Sequence, residues 1–328
     1  MNLEDTKHMD YSVVIRTLGR AGPLYQKTLN SICAQTVRPK NIVVYIADGY
    51  ALPKETVGVE NYVYVPKGMV AQRALKYDEV KAEYCLFLDD DVFLPPDAVA
   101  KMYDELIQNE AQVISPCTFE NHKTSFKSKV IKILTGKEVF RICDNRWAFK
   151  VLRTAGFSYN NNPTKHVYES QSNAGPCFFC RKSDFLKIKY DEELWLDKTY
   201  YALPDDQIMF YKMYKKGLKI LTSFDSGVVH LDASTTISNP KEKSLKLVFS
   251  EYRNKLIFWH RFIYLPEKSF VMKVWSILAI AYAYGIQSFK HSVFYLIGKK
   301  EEAEAFYGGV GDAISFLKSA EYKKLPLI

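Results

Sequence analysis

The run Tyr84-Cys85-Leu86-Phe87-Leu88 is apolar and strand-forming, and it ends in three consecutive aspartates, Asp89, Asp90 and Asp91. A strand without a polar position has both faces covered, so it belongs inside a sheet with layers on either side. Its end then delivers three carboxylates to one point on the sheet edge. Carboxylates that close repel one another unless positive charge sits among them. A hard divalent cation with oxygen ligands meets that need, and such a cation would in turn hold a diphosphate. A single Asp would read as the turn residue that ends a strand; three in succession fit that reading poorly.

The surrounding chain extends the sheet. Tyr11–Ile15, Asn41–Ile46, Asn61–Val65 and Val113–Pro116 read as strands. Leu24–Cys33, Val70–Ala82 and Ala98–Gln108 read as helices, the last with Pro95 and Pro96 at its start. Alternation of this kind predicts an α/β fold with a mostly parallel sheet flanked by helices. Ligands of such sheets bind beyond the carboxyl ends of the strands. Thr17, Asp48 and Asp89 to Asp91 all fall there.

Composition sets broad limits. The 328 residues are 48% hydrophobic, enough for a sizeable core, and carry a net charge of +8. That mild excess favours an anionic partner without naming one, and no nucleic acid is expected. Six cysteines are scattered, mostly in apolar runs, as buried free thiols of a reducing compartment would be. Cys177 and Cys180 form an isolated CxxC with no second pair at zinc-ribbon spacing. The start, Asn2 to Asp10, is polar and unlike a signal peptide. The longest uncharged apolar stretch, Val274 to Phe289, is shorter than the ~20 residues of a spanning helix, so no transmembrane segment is expected.

Two regions depart from the alternation. His122 to Arg153 carries nine Lys or Arg against Glu138 and Asp144 and reads, with the Asn-rich turn Tyr159 to Pro163, as a basic insertion at about 120–165 on the ligand face. From Pro240 the pattern is helical. Residues 1–239 are therefore expected to form the catalytic domain and 240–328 a helical C-terminal extension.

The residues assemble into a known pattern. The chain resembles family 2 glycosyltransferases of the GT-A fold, a Rossmann-like nucleotide-diphospho-sugar transferase fold, and among them bacterial rhamnosyl- and galactofuranosyltransferases. Ser12-Val-Val-Ile-Arg16-Thr17-Leu-Gly-Arg20 looks like the family's opening strand, with Arg16 in place of a proline. Ser31 to Pro39 matches its "SIxxQTxxP" segment. Asp48-Gly49 stands where the family has "DDGS", with Ala47 and Tyr50 as departures, and Gly68 to Ala74 resembles "GxxxARN". Phe87 to Asp91 is its DxD motif.

The resemblance implies roles. Asp91 would hold a divalent metal, Mn²⁺ or Mg²⁺, with Asp89 assisting. Asp48 would face the base, and Arg73 would lie near base or phosphates, with Thr17, Arg20 and Gly175 lining the nucleotide sugar. Asp89 and Asp90 would also face the nucleotide sugar, Asp89 near its ribose, with Asp90 alternatively serving only to shape the turn. Asp206, next to Asp205 and eleven residues before Gly217, matches the family's base in "EDxxLxxRxxxxG", with Lys212 at the Arg place. A pair at a helix start is favoured as carboxylate, and Asp205 could equally cap the helix. His230, 24 residues beyond Asp206, would complete the metal site. Trp195 would offer an indole platform to the acceptor sugar.

The reading implied is an inverting, metal-dependent glycosyltransferase acting in bacterial surface polysaccharide synthesis. Its donor would be a UDP- or dTDP-sugar and its acceptor a saccharide or lipid-linked hydroxyl. Basic residues around the aromatic stretch Val271 to Ile297 suit C-terminal helices lying on an anionic membrane, or equally a packed lid or an oligomer contact. The location expected is the bacterial cytoplasm, peripherally on the inner face of its membrane. A sugar-phosphate nucleotidyltransferase and a non-catalytic nucleotide-sugar-binding module are the rivals.

Overall fold

The computed structural model describes residues 9–118, 125–136, 146–160, 163–231 and 240–328. The polar start (1–8), much of the basic stretch (119–124 and 137–145), residues 161 and 162 of the Asn-rich turn, and residues 232–239 lie outside the described residues.

In chain order the elements begin β1 (Tyr11–Thr17), α1 (Pro23–Cys33), β2 (Ile42–Ala47), β3 (Glu60–Val65), β4 (Tyr84–Asp89), β5 (Val92–Phe93), α2 (Ala98–Gln108) and β6 (Val113–Pro116). The middle of the chain supplies α3 (Phe126–Leu134), β7 (Phe149–Val151), β8 (Phe157–Tyr159), β9 (Val167–Ser170), β10 (Cys177–Arg181), α4 (Lys182–Lys187), α5 (Asp205–Lys215), β11 (Ile220–Ser223) and β12 (Val229–His230). The chain closes with α6 (Pro240–Phe258), α7 (Phe270–Leu296), α8 (Lys300–Lys318) and α9 (Ala320–Lys324).

The main sheet runs β3-β2-β1-β4-β10-β6-β11-β9. The pairs β3–β2, β2–β1, β1–β4 and β6–β11 are parallel, while β10 and the edge strand β9 run antiparallel to their neighbours. The acidic run thus closes a central strand, as its composition demands. Alternate residues of β4 enter different apolar layers: Cys85 and Phe87 join Val14, Phe178 and Cys180 on one face, and Leu86 and Leu88 join Ile15, Cys177 and Phe179 on the other. Ring stacking of Phe87 on Phe178 at 4.5 Å between centroids adds specific contact to that burial. The same alternation explains the CxxC. Three residues apart on a strand, Cys177 and Cys180 point to opposite faces, so the two thiols share no ligand.

Register brings the strand ends together. Thr17 lies opposite Ile46, and Arg16 opposite Asp89. Because β10 is antiparallel, its first residue, Cys177, pairs with Leu88, so the loop before β10 meets the rim where β4 ends. β12 pairs with β5 so that His230 lies opposite Val92, beside the acidic run.

Two expectations are corrected. Val70 to Ala82 is not a helix. One turn forms, with the Ala74 N–H on the Val70 carbonyl, and Tyr77 then adopts a left-handed φ of 58°. Tyr77 packs its ring against Tyr45, Phe87 and Phe185, and that tertiary packing overrides local propensity. Asp197 accepts the backbone N–H groups of Val70 and Ala71 and fixes the start of the turn. The second correction is to the length of the C-terminal apolar stretch alone: α7, at 27 residues, is long and apolar enough to cross a membrane by length and composition. Lys273 and Lys290 interrupt its apolar run, so the uncharged stretch is shorter than the helix.

Candidate active site

Three strand ends and two loops converge at the rim. Each member of the acidic triplet meets a different partner. Arg16 donates to Asp89 from the end of β1. Thr17, one residue on, donates its hydroxyl to Asp90, and the same oxygen accepts the Gly19 N–H at 2.7 Å. Asp91 Oδ1 lies 3.0 Å from His230 Nε2, and the Leu231 N–H donates to the Asp91 carbonyl at 2.7 Å. Burial pushes the Asp90 carboxyl up to about 6, against the Thr17 hydrogen bond. Asp90 therefore ties the turn to β1 as well as shaping it.

The second acidic pair is built differently. Asp205 and Asp206 open α5, and a single guanidinium, Arg73, bridges both. Arg73 is buried, 2% exposed. Its burial opposes the charge, and Asp206 and Asp205 hold it protonated. The Asp205 side chain is 3% exposed, whereas that of Asp206 is 27% exposed. Asp206 is thus the member that reaches solvent. Burial and the neighbouring Asp206 charge push the Asp205 carboxyl up to about 7. Burial would raise Asp206 as well, but Arg73, Arg16 and the Gly175 N–H hold it below the usual carboxylate range. The pair thus presents one ionised carboxylate, Asp206, at the cleft beside a buried neighbour whose proton affinity is raised.

Gly175 makes room for this. A Cβ there would fall 2.2 Å from Asp206 Oδ1 and 2.6 Å from the Arg73 guanidinium. Only a residue without a side chain lets the loop before β10 approach the pair.

At the other end of the rim Asp48 follows β2, its side chain exposed and its N–H on the Val65 carbonyl at 2.8 Å. The guanidinium of Arg20 stacks over the Tyr50 ring at 4.7 Å, with Lys67 Nζ 5.1 Å from the same ring. Lys67 lowers the Tyr50 hydroxyl from its ordinary value.

The family model for glycosyl transferase family 2 matches residues 12–185, which span β1 through α4. The chain belongs to this family. No curated protein matches it at the sequence level. Among solved structures it is similar to the crystal structure of residues 1–349 of S. aureus TarS, with a TM-score of 0.53 and 14% identity, covering 94% of this chain and 81% of that one. The crystal structure of S. aureus TarS gives 0.52 at 14% identity, covering 95% of this chain and half of that one. At such identity the likeness shows the fold, a GT-A-like sheet with C-terminal helices.

Within this glycosyltransferase several expected residues stand elsewhere than the sequence suggests. Arg73 is committed to Asp205, Asp206 and the Gly175 carbonyl, not to a surface helix or an open phosphate site. Asp205 does not cap α5: Pro204 holds the capping position, and the Asp205 side chain turns to Arg73. Asp89 faces Arg16, and among the described residues no three metal-binding side chains gather. Trp195 is a core residue, 2% exposed, its indole N–H donating to Glu193 and its ring against Phe316. It offers no face to a sugar.

Residues not singled out for their role prove central. Arg16 stands between the two acidic clusters. Buried Lys212 donates to Glu192, Glu193 and the Lys189 carbonyl, and Arg261 also binds Glu193. This network fixes α5 from below. The replaced proline at Arg16 was the available signal; Glu193 and Arg261, 68 positions apart, had none.

Proposed function

We propose that this glycosyltransferase moves a sugar from a UDP- or dTDP-sugar to a hydroxyl of a saccharide or lipid-linked acceptor, with inversion at the anomeric carbon. Bacterial surface polysaccharide synthesis at the inner face of the cytoplasmic membrane, approached through the C-terminal helices, is its proposed setting. The observation that carries the reading is the Asp206 carboxylate, partly open to the cleft and kept ionised by Arg73.

In this reading Asp206 takes the proton of the acceptor hydroxyl as the oxygen attacks the anomeric carbon. The bond from that carbon to the diphosphate oxygen breaks, and the nucleoside diphosphate leaves. A single displacement needs one base and no covalent nucleophile. Arg73 and the Gly175 N–H orient the base. Asp48, with Arg20 stacked on Tyr50 and Lys67 beside it, supplies polar and cationic groups to a nucleotide.

The residues fit a divalent ion. Asp91 Oδ1 and His230 Nε2 are close enough to serve one cation, an oxygen and an imidazole nitrogen that suit Mn²⁺. Asp89 stays with Arg16. When bound, the ion would neutralise charge on the departing diphosphate.

The test is Asp206→Asn assayed with a panel of nucleotide sugars and saccharide acceptors. Transfer should disappear while donor binding persists; near wild-type turnover would remove Asp206 as base. Pyrophosphate release from a nucleoside triphosphate and a sugar phosphate would instead favour the nucleotidyltransferase.

A further inference from the structure

The outer and inner faces of α7 are reversed relative to a helix of a water-soluble surface. Its buried residues include Ser276, Gln287 and His291. Arg153 donates to the Ser276 hydroxyl at 2.6 Å, Tyr252 donates to Gln287 at 2.7 Å, and His291 stacks on Phe306 at 4.3 Å. The opposite face carries Val271, Trp275, Leu278, Tyr282, Phe289 and Leu296, all exposed. At 100° per residue these fall within one narrow stripe along the whole helix. Trp275 is 57% exposed and Phe289 73% exposed. Water-soluble monomers rarely leave so long a continuous apolar surface open.

Helix α3 continues the surface. It buries none of its residues, and Phe126, Val130, Ile131 and Leu134 are exposed. Tyr282 of the stripe donates to the Leu134 carbonyl at 2.8 Å, which places the end of α3 against α7. A nine-residue helix that buries nothing gains little stability from its own hydrogen bonds in water. Lys127, Lys129 and Lys132 lie on α3, which has no acidic residue, and exposed Lys268, Lys299 and Lys300 bracket α7.

We infer that the α3–α7 face docks flat on a bilayer that contains anionic lipid, the apolar stripe entering the headgroup boundary and the lysines meeting phosphate. This deepens the membrane part of the proposed function and rests on it. Charge decides the occupant: α3 carries three lysines and no acidic residue, and exposed Lys268, Lys299 and Lys300 flank α7, the complement of anionic headgroups. The inner-face hydrogen bonds decide the pose. A spanning α7 would have to leave Arg153 and Tyr252, whereas a flat helix keeps them and lays about 40 Å of stripe on the surface.

Tryptophan emission reports the docking, because Trp147, Trp195 and Trp259 are buried and Trp275 is exposed. The full chain should show a blue shift and float with vesicles of phosphatidylcholine and phosphatidylglycerol, and do neither with phosphatidylcholine alone. Trp275→Phe should abolish the shift but leave flotation. Changing Lys127, Lys129 and Lys132 together to Gln should weaken binding roughly 100-fold, at about fivefold for each lysine near an anionic surface. Equal binding to neutral vesicles, retention through an alkaline carbonate wash, or self-association without vesicle binding would each overturn the inference. Donor hydrolysis without vesicles is measured in parallel. Its loss in the wild type would strike the transferase reading instead.

Discussion

The two acidic clusters of the rim solve the same electrostatic problem in opposite ways. Asp89, Asp90 and Asp91 take three separate partners, Arg16, Thr17 and His230. Asp205 and Asp206 share one, Arg73. Separate partners keep the carboxylates individually addressable, so one can serve a cation while its neighbour binds the fold. A shared partner makes the pair unequal, lifting the proton affinity of Asp205 and lowering that of Asp206. The first arrangement suits holding charge, and the second suits moving a proton.

The sharpest way to break this contrast is Asp206→Asn, which should cost transfer about 10³-fold and leave the donor dissociation constant, measured calorimetrically, unchanged. Removing the shared partner comes next. Arg73→Ala strands the buried Asp205 carboxyl and the partly open Asp206 and should lower unfolding free energy by about 3–5 kcal/mol in denaturant titration. A variant as stable as wild type would mean that the bridge is not structural. Gly175→Ala should displace Asp206 and reduce turnover about 10²-fold, as a misplaced group does, and by crowding buried Arg73 should lower the melting temperature, though less than Arg73→Ala does. On the other cluster, His230→Ala should raise the Mn²⁺ concentration for half-maximal transfer at least about tenfold, near the lower bound for altered metal surroundings. EDTA should stop the wild type. Unaffected transfer would remove the metal from the scheme.

The smallest effect is a pH slope. The Asp205 carboxyl is raised from 3.8 to about 7, so the folded state binds its proton more tightly than the unfolded chain. Its contribution to stability is complete below the unfolded value and is lost as pH rises through about 7. Wild-type melting temperature should therefore fall between these values with a slope that Asp205→Asn flattens. An identical slope in the variant would refute the assignment.

What could be read from the sequence was local. The apolar run into Asp89, the prolines ahead of α2 and the spacing from Asp206 to Gly217 each fit within one or two elements, and α5 and β4 appear where those signals put them. What could not be read depended on distance along the chain. Arg73 meets Asp205 across 132 positions and Asp197 meets the Val70 turn across 127. No window of sequence contains both partners. Tyr77 fails for the same reason, because a helical pattern cannot announce a ring that will be needed in the core. Trp195 shows the converse: an aromatic near an acidic cluster looks like a platform until Glu193 claims its indole N–H.

The direction of β10 has a consequence for how such an enzyme could be altered. A sheet of purely parallel strands exposes only strand exits at its working edge, so every change there also disturbs the exit of a core strand. Here the chain comes back to that edge travelling the other way, and the Ser172–Pro176 approach precedes the strand it feeds. Segments upstream of β9 could be lengthened or exchanged while β4 and its aspartates stay in register. The fold thereby separates the part of the cleft that must stay constant from a part free to take on new partners.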